Sequence, residues 1–145
     1  AYLSALAAGF TVLLVSVTLG GPQKGSATQY FVGDFDGQVF TAEHTDTRWL
    51  DWGPDNYAGV TWSNTPGRSV FMGWMSNWLY AAKLPTSPWR GAMSVPRDIS
   101  VRRSAAGWQF LQQPVPELEL AGGVPQRGWF LPLGERLEWS AVQLE

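Results

Sequence analysis

Asp34, Asp36, Asp51 and Asp55 lie close together along the chain. Paired carboxylates are the usual tools of glycoside hydrolysis, one acting as acid and the other as nucleophile or base. Their contexts differ. Asp36 precedes Gly37 between two apolar runs, which makes it a turn residue, and Asp34 can satisfy nearby backbone amides. Asp51 and Asp55 sit in a loop crowded with indoles, where exposed polar groups on a rigid scaffold bind ligands, local capping being the plainer alternative. The stretch from Trp49 to Trp89 holds six of the nine tryptophans. Within it Trp74 and Trp78 flank Met75-Ser76-Asn77. An indole so placed can stack on the apolar face of a sugar ring while Asn77 or Tyr57 supplies hydrogen bonds. The competing assignment is an aromatic core, and it is the one expected for Trp62, Phe71 and Trp108, which fall inside strand-like runs.

Other chemistries find no support. The single histidine, His44, and the absence of cysteine rule out a multi-histidine or thiolate metal site within the chain and any disulfide. There is no Gly-x-Ser-x-Gly nucleophile motif, and the glycines at 20, 21 and 25 lack the spacing of a phosphate-binding loop. No cofactor is therefore expected. Ten scattered Lys and Arg residues and a net charge of −2 leave no footprint for nucleic acid and favour a neutral partner.

The elements that must position these residues read as strands. A hydrophobic fraction of 45% over 145 residues gives a real core, and sixteen Gly and ten Pro against 15% charged residues suit short strands joined by tight turns. Residues 1–19 carry no charge, as in a signal peptide or membrane span, but the basic start of a signal peptide is missing. Thr11–Val17 reads better as a buried β-branched strand stopped by Gly20-Gly21-Pro22, and no membrane association is expected. Thr28–Phe35 and Gln38–His44 form its hairpin partners around a two-residue Asp36-Gly37 turn, making a three-stranded meander. Thr45–Ala58 should be a structured loop. A second hairpin, Ala58–Asn64 and Ser69–Ser76 around Thr65-Pro66-Gly67-Arg68, is expected to be buried on both faces. Gly91–Ser104 gives one or two short strands with Pro96 at an edge or bulge, and Trp108–Val115 gives another. Arg97-Asp98 and Arg102-Arg103 look like surface charges around that edge. Two groups of about four antiparallel strands are what successive propeller blades look like in sequence. A boundary is expected at Pro114–Pro116, dividing 1–115 from 116–145, where Leu118–Leu120 and Arg136–Glu145 alternate as half-exposed strands do.

Four segments, GGPQKGSATQYFVGDFDGQVF, LDWGPDNYAGVTWSN, GWMSNWLYA and PTSPWRGAMSVPRDISVRR, resemble glycoside hydrolase family 32, the invertases, levanases, inulinases and fructan exohydrolases. The likeness runs from about Thr11 to Pro114. It implies an all-β fold, here the last blades of a five-bladed β-propeller (1–115) and the start of a C-terminal β-sandwich (116–145). It also implies β-fructofuranosidase activity by a retaining mechanism on sucrose, levan or inulin, in a secreted or periplasmic protein.

The departures from the family pattern are specific. The nucleophile motif Trp-Met-Asn-Asp-Pro-Asn-Gly, the stabiliser motif Arg-Asp-Pro and the acid/base motif Glu-Cys do not occur, and Ala1–Phe10 does not resemble the acid/base segment. The resemblance thus implies a C-terminal fragment of the propeller region with no catalytic residue of its own. It carries over the pocket rim: Trp74 as an aromatic wall of a fructose pocket, Asp55 and Tyr57 supporting the pocket or the acid/base, Asn77 and Arg90 more weakly. The expected partner is a fructose-containing oligo- or polysaccharide. The rivals are a non-catalytic fructan-binding module and a gene fragment without independent role.

Overall fold

The computed structural model describes residues 2–7, 10–105 and 107–118, all of it β-strand and loop apart from single turns of helix. Strands β1 (Tyr2–Ala7), β2 (Phe10–Val17), β3 (Ala27–Phe35) and β4 (Phe40–Ala42) form one antiparallel sheet in chain order. Strands β5 (Tyr57–Thr61), β6 (Val70–Met75), β8 (Arg97–Ser104) and β9 (Gly107–Pro114) form a second, and the short β7 (Ala92–Met93) pairs with β6 beyond the β8 contact. The uncharged segment 11–17 is thus an inner strand between β1 and β3. Among the described residues no helix is long and apolar enough to cross a membrane.

Each sheet is a meander because the turn chemistry is local. After β3, Asp36 accepts the amides of Gln38 at 2.8 Å and Val39 at 2.7 Å, and Gly37 takes φ +99°. Phe35 pairs with Phe40, so residues 36–39 make a four-residue loop rather than the expected two-residue turn. The side-chain acceptor of Asp36 closes the longer loop, and β4 is accordingly short. In the second hairpin Arg68 N–H donates to Thr65 O at 3.1 Å and the Thr65 hydroxyl donates to Arg68 O at 3.0 Å. The third strand of this sheet is broken at Ser94–Pro96. There Ser94 N–H donates to Gly73 O at 2.8 Å and Gly73 N–H donates to Ser94 Oγ at 3.0 Å. Pro96, lacking an N–H, falls in the break, as its chemistry requires.

Strand alternation builds the core. Val12 faces Val32 and Leu14 faces Tyr30 across β2 and β3, and Val12, Leu14 and Val32 cluster with Leu50, Phe71 and Ile99. Tyr30 stacks on Phe110 at 4.7 Å, and Trp108 packs against the same cluster. Burying each of these side chains stabilises by about 1.5–3 kcal/mol. Phe71 is fully buried, as expected, but Trp62 is 49% exposed. Burial of the second hairpin on both faces also fails, since Val60 is exposed as well. The reason is position: β5 is the edge strand of its sheet, and only alternate residues turn inward. The chain divides between Val115 and Pro116. The strands expected from Leu118 onward lie essentially outside the described residues, and so does the sandwich.

Candidate functional site

The site begins with a buried amide. Asn77, just past β6, is 0% exposed. Its Nδ2 donates to Pro54 O at 2.7 Å and to Lys24 O and Ser26 O at 3.3 Å, while Oδ1 accepts Leu79 N–H at 3.0 Å and Ser26 N–H at 3.2 Å. One side chain therefore ties the turn before β3, the 49–56 loop and the segment after β6. Gly25 makes this approach feasible, since a Cβ there would lie 2.1 Å from Asn77 Oδ1. The Asn77 amide is thus fully engaged with backbone.

The 49–56 loop is held along most of its length. Gln29 bridges to Trp49, and Leu50 N–H donates to Thr28 O at 2.9 Å. Asp51 Oδ1 accepts Gly53 N–H at 2.8 Å, and its Oδ2 accepts Arg97 Nη1 at 2.8 Å. The Thr28 hydroxyl donates to Asn56 O at 3.2 Å. Asp55 lies between the points fixed at Pro54 and Asn56, half-buried, with the Tyr80 hydroxyl donating to its carboxylate. Burial pushes the Asp55 carboxyl above the ordinary carboxylate range, and the charge of Asp51 adds to the rise. The Tyr80 hydroxyl works in the opposite sense by stabilising the ionised form.

Beyond this loop three rings converge. Tyr57 and Trp74 are cross-strand partners of β5 and β6, with centroids 6.2 Å apart at 67°. Trp78 lies 5.0 Å from Trp74 and 6.4 Å from Tyr57. The Trp74 ring lies close against Gly91, at φ +80°, where a Cβ would stand 2.6 Å from the indole nitrogen. Just before β5, the Asn56 amide is 2% exposed with no hydrogen-bond partner for either polar atom, an arrangement that native proteins rarely leave unexplained.

Of the residues singled out in the sequence, Tyr57, Trp74 and Trp78 come together as one aromatic group, with Asp55 two residues along the chain from Tyr57. Arg90 is exposed and donates to Ala82 O at 2.7 Å, bracing its own loop. Asp36 is occupied by its turn, and Asp34 is exposed on β3 opposite Thr41. Three residues were missed. Tyr80 falls in the GWMSNWLYA segment, but neither its type nor its spacing singled it out. Gly91 gave only the hint of a glycine after Arg90. Arg97 read as a surface charge, but it is partly buried against Asp51; its neighbour Asp98 is instead held by Arg68 in a two-point pair at 2.9 and 2.8 Å.

A ring cluster with a perturbed carboxylate nearby is a candidate ligand site on this all-β domain. The model of the glycosyl hydrolases family 32 N-terminal domain matches residues 5–114, and the chain belongs to this family. The levanase of Bacillus subtilis is 46% identical over 121 residues, 80% of this chain and 18% of the levanase. An extracellular exo-inulinase of Aspergillus awamori is 40% identical, over 71% of this chain and 21% of its own length. Among solved structures, the fructofuranosidase of Schwanniomyces occidentalis complexed with fructosylnystose aligns with a TM-score of 0.66 at 39% identity, covering 73% of this chain and 22% of that one. The chain thus spans about a fifth of the length of these relatives.

Proposed function

We propose that this chain forms part of a β-fructofuranosidase-type glycoside hydrolase acting on sucrose, levan or inulin, contributing pocket residues while the catalytic carboxylates lie outside it. The observation that carries the reading is the convergence of Tyr57, Trp74 and Trp78 beside Asp55 in a family 32 chain. Trp74 forms the aromatic wall, Tyr57 and Asp55 offer polar groups at its edge, and Asn77 holds the Asp55 loop in place without touching substrate. The two meanders are successive blades of a five-bladed propeller, and residues 116–145 begin a β-sandwich. The exo-inulinase relative is named extracellular, which supports secretion or a periplasmic location for the whole protein.

The engagement of three of the aspartates supports placing the catalytic pair elsewhere. Asp36 closes a turn, Asp51 is paired with Arg97, and Asp55 is bonded to Tyr80. Isothermal titration calorimetry with fructose oligomers tests the reading. The parent chain binds, and Trp74→Ala weakens binding about ten-fold, roughly 1.4 kcal/mol, through loss of the stacking face. Equal affinity of the two proteins removes Trp74 from the pocket. Fructose release from sucrose, levan or inulin by the isolated chain contradicts the placement of the catalytic groups elsewhere.

A further inference from the structure

Arg97, at the start of β8, joins two parts of the molecule that are distant in sequence. Its Nη1 donates to Asp51 Oδ2 at 2.8 Å and to Gln112 Oε1 at 3.0 Å. Gln112 in turn donates from Nε2 to Leu50 O at 2.6 Å. Leu50 and Asp51 are adjacent, so the guanidinium and the Gln112 amide grip the same two residues of the 49–56 loop from β8 and β9. Both ionised side chains are largely sheltered, with 24% of Arg97 and 23% of Asp51 exposed. Solvent and salt screen a sheltered pair less than a surface pair, so the guanidinium offsets the Asp51 charge more fully here than it would in open water.

We propose that Arg97 is a positioning residue for the pocket: by clamping Asp51 and Gln112 together it fixes the loop that presents Asp55 and keeps the Asp51 charge from acting in full on the Asp55 carboxylate. Its bearing on sugar binding rests on the reading of Asp55 as a pocket residue. The electrostatic coupling stands without it. The groups that face Asp55 are Tyr80, from the segment after β6, and Asp51, from its own loop; Arg97 reaches Asp55 through Asp51. Asp51 is negative and raises the affinity of Asp55 for its proton. Removing Asp51's charge and removing Arg97's charge must therefore act in opposite directions. A clamp with only a structural role has no reason to produce opposite signs.

The test is an isotope-edited NMR titration of the Asp55 carboxyl in the 145-residue chain and its variants Asp51→Asn, Arg97→Gln and Arg97→Lys. The Asp55 midpoint is expected to fall in Asp51→Asn, to rise in Arg97→Gln and to stay near the parent in Arg97→Lys, which keeps the charge. Midpoints that do not move, or that move in the same direction in Asp51→Asn and Arg97→Gln, overturn the proposal. Should Arg97→Gln lose its fold, Arg97→Met, which also removes the charge, takes its place: a higher Asp55 midpoint than the parent supports the coupling, and an equal or lower one overturns it. Calorimetry with fructose oligomers on the same proteins separates the two readings. Opposite titration shifts without sugar binding by any of them retain the clamp and dismiss the pocket.

Discussion

Asp36 and Asp55 lie in two loops of this chain that are held by different means. Residues 36–39 close on themselves: Asp36 accepts amides two and three positions further along, and the carboxylate stands in solvent. The 49–56 loop is held from outside, by Asn77 at a separation of 23 residues, Thr28 at 28, Arg97 at 46 and Gln112 at 62. The electrostatic consequences diverge accordingly. Amides donated to Asp36 hold its carboxyl below the ordinary range, whereas burial and a like charge push Asp55 above it. A loop fixed by its own residues stabilises the ionised acid. One fixed by the rest of the fold can hold an acid where ionisation is disfavoured.

The contrast breaks most severely at Asn77. Asn77→Ala removes a fully buried amide and leaves the carbonyls of Pro54, Lys24 and Ser26 and two backbone N–H groups without their partner. The expected loss is about 3–5 kcal/mol of folding stability, the upper range for a single buried polar network. Urea unfolding followed by tryptophan fluorescence measures it. An unchanged midpoint means that the loop is not held at a distance and that the comparison has no basis.

A smaller effect is expected at Gly91, where the pocket side of the contrast can be sharpened. Gly91→Ala places a Cβ against the Trp74 indole and forces a left-handed φ on a non-glycine residue, at a cost of about 1–2 kcal/mol. Fructose-oligomer affinity should fall by more than the stability loss accounts for, because the ring turns while the fold persists. If thermal stability falls and affinity of the remaining folded protein does not, Gly91 packs against Trp74 without setting a binding surface.

The same contrast accounts for how much the sequence disclosed. Asp36-Gly37 announces its turn because every partner lies within three residues, although the loop proved two residues longer than the dipeptide suggests. The all-β order, the break at Pro96 and the strand at 11–17 were legible for similar reasons, since alternation and proline chemistry are local. The expected three-stranded meander put 11–17 at an edge, whereas β1 makes the sheet four-stranded and that strand an inner one. Trp62 was misjudged because composition marks a strand but not whether it lies at a sheet edge. Residue type drew notice to Asp51, Asp55 and Asn77. Their partners Arg97, Tyr80 and Ser26 are set by which segments the fold brings together, and neither periodicity nor spacing encodes that. Nor did any pattern distinguish Asn77, engaged with backbone, from Tyr57 and Trp74 in the ring cluster.

The smallest expected effect is at Asp36, and its pH dependence carries the sign. A carboxyl held below its ordinary value by folding adds stability only while ionised. The contribution is present above the value of the unfolded chain and disappears as pH falls through the lower value of the folded protein. Asp36→Ala should therefore lower the urea midpoint slightly at neutral pH and match the parent once both are acidified below that range. Asp36→Asn, which keeps an acceptor for the Gln38 and Val39 amides but no charge, should fall between the two at neutral pH. Asp55→Asn supplies the mirror experiment. Since folding disfavours the ionised form of Asp55, removing that charge should leave stability unchanged or slightly higher at neutral pH, with the gain vanishing as acid protonates the parent. If both substitutions shift stability in the same direction at neutral pH, the two loops do not differ in the way they hold their acids.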